Sequence, residues 1–132
     1  MTRRSMLAIA TLVVLGATVS TCKDATDPSR PGFLEVRLAS PNVDDGGLYF
    51  TIGGAKIDSV TTQLPVIAAH AVTDSLWHVV VGGSVTTGPV ARIWVPDTRA
   101  VSRYSGSVLQ VVVRTSNAQR SAAGYAVVAA TP

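Results

Sequence analysis

The sequence predicts an all-β protein: an antiparallel β-sandwich of about seven or eight strands that follows an N-terminal signal peptide. Three observations predict this fold class. Apolar and polar residues alternate with a period of two in several short segments, Val and Thr are frequent in these segments, and Gly, Pro, Asn and Asp turns separate them. No window after residue 22 has the spacing of an amphipathic helix.

Composition limits the classes of protein that this chain can belong to. A length of 132 residues is typical of one domain. With 47% hydrophobic and only 14% charged residues, the chain is not intrinsically disordered. A single cysteine excludes an internal disulfide framework and a multi-cysteine zinc site, and we expect no cofactor.

The N-terminal segment has the layout of an export signal. Arg3 and Arg4 precede Met6–Val19, which is uncharged and largely apolar. This run is shorter than the ~20 apolar residues of a transmembrane helix, so we interpret residues 1–21 as a signal peptide. The segment 2–7 is also similar to a twin-arginine export signal, although the general secretory route is the simpler interpretation.

Four residues at the end of the signal resemble a known processing motif. Val19-Ser20-Thr21-Cys22 is similar to the lipobox of bacterial lipoproteins, with Thr21 where Gly, Ala or Ser is usual. The resemblance implies that Cys22 becomes the lipidated N-terminus and that the protein is anchored to a membrane in the cell envelope. The alternative is ordinary cleavage, which would give a soluble periplasmic or secreted protein.

Charge gives no support to a nucleic-acid partner. The whole chain has a formal charge of +3, but the signal contains Arg3, Arg4 and no acid. Its removal leaves 9 basic against 8 acidic residues, a net charge of +1. A nucleic-acid-binding face needs clustered positive charge, so we expect none. Residues 22–32, which are polar and contain two prolines, are predicted to form a flexible tether.

The folded domain is expected to span residues 33–131. In Phe33–Ala39 and Leu48–Ile52 every second residue is apolar, which predicts two half-buried strands. A shorter strand is predicted over Lys56–Thr61. Val66–Val72 is apolar on both faces, which favours a buried strand, although its alanines also suit a helical turn.

The second half of the domain continues the alternation. Leu76–Val81 and Val90–Val95 are predicted strands, and a loop or short bulged strand is expected around Val85. Pro96 ends the strand Val90–Val95, because proline cannot donate a hydrogen bond to a β-ladder. The remaining predicted elements are strands at Tyr104–Thr115 and Tyr125–Ala130, with a loop over residues 116–124 between them.

One set of alternating apolar residues is predicted to share a core between two sheets. It comprises Leu34, Val36, Leu38, Leu48, Phe50, Ile52, Val79, Ile93, Val111, Val113 and Val127. The strand rhythm, with the turn Asn42-x-Asp44-Asp45-Gly-Gly after the first strand, faintly resembles the cohesin-type β-sandwiches of bacterial extracellular proteins. That resemblance implies adhesion or assembly and assigns no binding residue.

A binding surface is predicted where arginines flank aromatic residues. Arg92, Arg99 and Arg103 lie close in sequence to Trp94 and Tyr104. Strand alternation places the first aromatic residue on the outer face, where it could stack on a polysaccharide or a protein while the arginines engage polar or anionic groups. The alternative is a buried tryptophan with arginines that only solvate an edge.

Two groups of residues suit metal ligation without forming a complete motif. Asn42, Asp44 and Asp45 resemble half of a calcium loop, but no bidentate acid closes it, so side chains that cap a turn are the simpler interpretation. His70 and His78 would pair only if their strands were neighbours, and without a third ligand we predict strand residues rather than a metal site.

The sequence gives no coherent catalytic constellation. Asp74, Ser75 and His78 have the residue types of a nucleophilic triad, but the serine and histidine fall on opposite faces of an extended strand. A Gly-x-Ser-x-Gly motif is missing. We therefore predict a non-catalytic envelope protein with a binding or structural domain. The alternative is a small secreted hydrolase or accessory enzyme.

Overall fold

The structure, a computed structural model, describes residues 30–132 and confirms the all-β class. A 3-10 helix, Thr98–Arg103, interrupts nine strands. In chain order the strands are β1 (Gly32–Ala39), β2 (Asp45–Gly53), β3 (Ser59–Thr61), β4 (Val66–Thr73), β5 (Leu76–Val85), β6 (Gly88–Val95), β7 (Ser105–Val113), β8 (Gln119–Arg120) and β9 (Ala126–Ala130). The predicted signal peptide, Cys22 and most of the predicted tether lie outside the described residues.

All described strand pairings are antiparallel and form one strongly curved, nearly closed sheet. The strand order is β3-β6-β1-β9-β7-β2-β5-β4, and β8 pairs with β7 beside this path. β9 joins the two halves of the sheet, since it pairs with β1 over five residues and with β7 at one position. The two layers expected of a sandwich are therefore connected at β9.

Both halves of the sheet contribute to one apolar core. Leu34 and Ile93 come from β1 and β6, while Phe50 and Val79 come from β2 and β5, and all four are fully buried. Ten of the eleven predicted core residues are buried. The exception is Val113, which is half-buried at the last position of β7, where the chain turns away.

β4 is a strand, as expected, but it is not buried. All eight of its residues are exposed, because β4 pairs only with β5 and forms one edge of the sheet. The prediction of a buried strand from the apolar residues on both faces of β4 is therefore wrong. β4 leaves a long, uncharged edge open to solvent.

Two further details differ from the sequence-based expectation. The region around Val85 continues β5 as a single ten-residue strand. The predicted loop over residues 116–124 contains β8, which folds back on β7 through a turn in which Asn117 has a φ of 58°. Asparagine tolerates this left-handed conformation better than most residues. Within residues 30–132, no helix is long and apolar enough to cross a membrane.

Close packing at the end of β2 requires glycine. Gly54 has a φ of 114°, and a Cβ atom placed there would clash with the carbonyl oxygen of Arg103. Gly88, the first residue of β6, has a similar φ of 130° but open space around it. A side chain at Gly88 would therefore meet backbone strain alone, whereas one at Gly54 would meet backbone strain and a steric clash.

Candidate functional site

The predicted tryptophan lies on the outer face of the sheet. β1 and β6 pair with Phe33 opposite Trp94 and Glu35 opposite Arg92. Because Leu34 and Ile93 point into the core, their neighbours along each strand point outward. Trp94 is 36% exposed, and Phe33 opposite it is exposed to the same extent.

The outward side chains of this strand pair contact one another. The rings of Phe33 and Trp94 meet edge to face, with centroids 4.8 Å apart and an interplanar angle of 83°. The guanidinium of Arg92 lies 5.7 Å from the Phe33 ring centroid, within range of a cation–π interaction. We call Phe33, Glu35, Arg92 and Trp94 the Trp94 surface.

Charged groups extend the Trp94 surface along β1. Arg37 donates from Nε to Glu35 Oε1 at 3.1 Å, and its NH2 group lies 2.9 Å from the same oxygen. Glu35 is mostly covered, whereas Arg37 and Arg92 are exposed. The surface thus presents two guanidinium groups to solvent, with one carboxylate between them.

A shallow groove of about 230 Å³ adjoins the Trp94 surface. The turn after β3 forms one wall, and Thr62 Oγ1 fixes it by donating to the Val90 carbonyl at 2.7 Å. The same hydroxyl accepts a hydrogen bond from Leu64 N at 3.1 Å. The groove is lined by Phe33, Glu35, Thr61, Thr62, Gln63, Pro89, Val90, Ala91 and Arg92.

The other residues predicted for this site belong to the 3-10 helix and its C-terminal cap rather than to β1 or β6. Asp97 caps the N-terminus of the 3-10 helix and accepts two hydrogen bonds from the Arg99 guanidinium. Hydrogen bonding to Arg99 lowers the pKa of Asp97. Arg103 is exposed at the end of that helix. Tyr104 is buried, donates to the Lys56 carbonyl at 2.6 Å, and burial raises its pKa. Its ring belongs to the core.

The three residues considered as a calcium alternative form part of a polar cluster. Arg120 donates from NH1 to Asp44 Oδ1 and to Asp45 Oδ1, each at 2.8 Å. Hydrogen bonding to Arg120 lowers the pKa of Asp44, and the same contact raises the pKa of Arg120. The guanidinium stands where a cation bound by both carboxylates would have to stand.

Hydroxyl groups complete this cluster around the fully buried Asp45. Ser40 Oγ donates to Asp45 Oδ2 at 2.6 Å, and Tyr125 donates to Asp45 Oδ1 at 2.7 Å. Asn42 in turn donates to the Tyr125 hydroxyl at 2.8 Å. Sequence analysis missed Arg120 and Tyr125, because nothing in their local sequence indicates contact with residues about 80 positions away. The cluster joins the β1–β2 turn to the end of the domain.

Ser75 and His78, whose residue types would suit a nucleophilic triad, do not contact each other. Ser75 lies in the β4–β5 turn and its hydroxyl is 3.4 Å from that of Thr73. His78 instead contacts Tyr49, whose hydroxyl lies 2.6 Å from the imidazole Nδ1. His70, by contrast, lies directly opposite His78 across the β4–β5 pair.

Comparison with known proteins identifies no relative. The chain matches no protein-family model, no curated protein and no solved structure.

Proposed function

We propose that this protein is a non-catalytic cell-envelope lipoprotein whose β domain binds a polysaccharide on the Trp94 surface. One observation carries the proposal: an exposed tryptophan and an exposed phenylalanine lie in contact on the outer face of the β1–β6 strand pair. Covering a large exposed aromatic side chain with a ligand removes apolar surface from water, which favours binding. Ligand binding would explain why both rings lie on the outer face, whereas packing of the core does not.

The surroundings of Trp94 favour a sugar polymer as ligand. A sugar ring has an apolar C–H face that stacks on an aromatic ring and a rim of hydroxyl groups that need hydrogen-bond partners. The Trp94 surface and its groove offer both, since Arg92, Glu35 and Gln63 line the groove together with the Phe33 ring. The exposed Arg37 and Arg92 would also favour acidic groups on that polymer.

The N-terminal sequence supports an envelope location. The basic and apolar segment over residues 1–21 would direct export, and Cys22 would carry the lipid. A flexible tether over residues 22–32 would then hold the β domain near the membrane while leaving its outer face accessible. This position suits a protein that contacts polymers of the cell envelope.

Fluorescence of Trp94 provides the test. In a Trp77→Phe background Trp94 is the only tryptophan, so its emission should change as cell-wall and capsular polysaccharides are titrated. Trp94→Ala, followed by calorimetry, should weaken binding by about 2 kcal/mol or more, as expected for a central aromatic anchor. Leu109→Ala, which removes an exposed apolar side chain on β7, is the matched control and should leave affinity unchanged.

Two results would contradict the proposal. Equal affinity of the Trp94→Ala and Leu109→Ala variants would show that binding occurs elsewhere on the domain. Failure of every polysaccharide, together with Trp94-dependent binding of an envelope protein, would replace the polysaccharide by a protein partner.

A further inference from the structure

A pair of histidines on the second half of the sheet has the geometry of a metal chelate. His70 on β4 lies directly opposite His78 on β5. Directly opposite residues of an antiparallel pair project from the same face, with Cβ atoms about 4.5–5.5 Å apart. Two imidazole rings at this separation can reach one metal ion, because metal–nitrogen bonds are about 2.0–2.1 Å long.

Both rings are accessible from solvent. Val79, which follows His78 on β5, is fully buried, so His78 points to the outer face. It is half-buried there, and His70 is exposed on the edge strand. An ion can therefore approach from solvent without any change in the fold.

Tyr49 on β2 fixes one of the two rings. Its hydroxyl oxygen lies 2.6 Å from His78 Nδ1, and the two rings meet at 60° with centroids 5.7 Å apart. When Nδ1 donates to this hydroxyl, Nε2 is left with a free lone pair, as a metal ligand requires. Metal-bound histidines usually have such a partner on the second nitrogen, where it orients the ring and raises its basicity.

We propose that His70 and His78 bind one divalent transition-metal ion, with Tyr49 as a positioning residue and water at the remaining coordination positions. Imidazole nitrogen selects Cu²⁺, Ni²⁺ and Zn²⁺ over Ca²⁺ and Mg²⁺, and Cu²⁺ binds most tightly in the usual order. No cluster of three or more His, Cys, Asp or Glu ligands occurs among residues 30–132. The site is therefore a two-ligand chelate that binds reversibly.

This site is separate from the Trp94 surface. The histidines lie on β4 and β5, and Tyr49 lies on β2, whereas the Trp94 surface lies on β1 and β6. These strands belong to different halves of the sheet. Metal binding therefore does not depend on the proposed polysaccharide binding, and either can fail without the other.

Copper titration tests the inference directly. The full chain carrying Cys22→Ser, which removes the competing thiol, is purified without a histidine tag and titrated with Cu²⁺ in a calorimeter. We expect one ion per chain and an electron paramagnetic resonance spectrum with hyperfine structure from two equatorial nitrogens. Ca²⁺ should give no heat of binding.

Three variants assign the ligands. His70→Gln and His78→Gln should each weaken Cu²⁺ binding at least about tenfold, and each should reduce the nitrogen hyperfine structure to that of one imidazole. Tyr49→Phe should weaken binding about tenfold while both nitrogens remain in the spectrum, which separates a positioning residue from a ligand. Circular dichroism of each variant checks that the β fold is retained.

Three outcomes would overturn the inference. Unchanged affinity in His70→Gln would place the ion elsewhere, for example at the N-terminal amine. A wild-type spectrum with one nitrogen would show that the two rings do not share the ion. A stoichiometry of one ion per two chains would replace the chelate within one chain by a bridge between copies.

Discussion

Asp45 is the fully buried acidic residue of an otherwise apolar core. A buried carboxylate is stable only when hydrogen bonds replace its lost hydration, and Arg120, Tyr125 and Ser40 supply them. The partners come from both ends of the domain. A single side chain thus fixes the position of the β1–β2 turn relative to β8 and the start of β9.

Acid should weaken the fold through the carboxylates that arginines hold. The pKa values of Asp44 and Asp97 are lowered in the folded state by Arg120 and Arg99, so in acid the unfolded chain binds more protons than the folded one. The free energy of unfolding should therefore be undiminished above about pH 4, near the ordinary carboxyl pKa, and fall below it. Urea titrations of wild type and Asp44→Asn measure this fall.

In the Asp44→Asn variant the free energy of unfolding should fall less steeply with decreasing pH than in the wild type. In the double variant Asp44→Asn/Asp97→Asn it should fall less steeply still. Effects at the two sites should add, since different arginines hold them. Identical acid profiles for the wild type and the double variant would contradict this account.

Phe50 should be among the residues most important for stability. Its ring is fully buried on β2, a central strand paired with both β5 and β7. Phe50→Ala should lower the free energy of unfolding by about 3–5 kcal/mol, because transfer and cavity effects add. Val43→Ala, at a residue that is 83% exposed, is the control and should change it by less than about 0.5 kcal/mol. A loss under about 1 kcal/mol for Phe50→Ala would contradict the register of β2.

At the scale of elements, two glycines distinguish strain from crowding. Both Gly54 and Gly88 have positive φ, but only Gly54 faces a backbone oxygen, that of Arg103. Gly88→Ala should lower the free energy of unfolding by about 1–3 kcal/mol through backbone strain alone. Gly54→Ala should lower it by more, since the Arg103 carbonyl must also move. Equal losses, measured by urea unfolding, would show that crowding at Gly54 is relieved at no cost.

The exposed edge of β4 should promote association during folding. Unpaired backbone groups on a long, uncharged strand can pair with another chain, and charged residues on an edge oppose this. Ile67→Lys should reduce light scattering during refolding at high protein concentration while changing stability by less than about 0.5 kcal/mol. Leu109→Lys introduces the same charge on β7, an interior strand of the sheet, and should leave scattering unchanged. Equal scattering by wild type and Ile67→Lys would exclude the edge as its cause.

Local patterns predicted those elements whose two faces differ. β1, β2 and β6 each have one buried face and one face that is less buried, so alternation located the strands and placed Trp94 outside. Alternation does not report strand order, and for that reason the exposure of β4 was not predicted. The contact between Arg120 and Asp45 depends on the pairing of β7 with both β2 and β8, and it was missed for the same reason.

At the scale of the whole molecule, the proposed anchor depends on Cys22. Mass spectrometry of protein from the membrane fraction should find a mature N-terminus at Cys22 that carries acyl chains. Cys22→Ser should move the protein to the soluble fraction, while Thr21→Ala, which brings the motif closer to the lipobox, should retain it in the membrane. An unmodified thiol on soluble wild-type protein would contradict the lipoprotein assignment.

The position of β1 has a consequence for biosynthesis. β1 lies between β6 and β9 in the sheet, yet β9 is synthesised only after seven other strands. The first strand therefore cannot gain both of its neighbours until the ribosome has nearly finished the domain, and such distant pairings also form slowly. An emerging chain would remain extended long enough to thread through a translocon. For the proposed export, this topology would allow the chain to cross a membrane before the sheet closes.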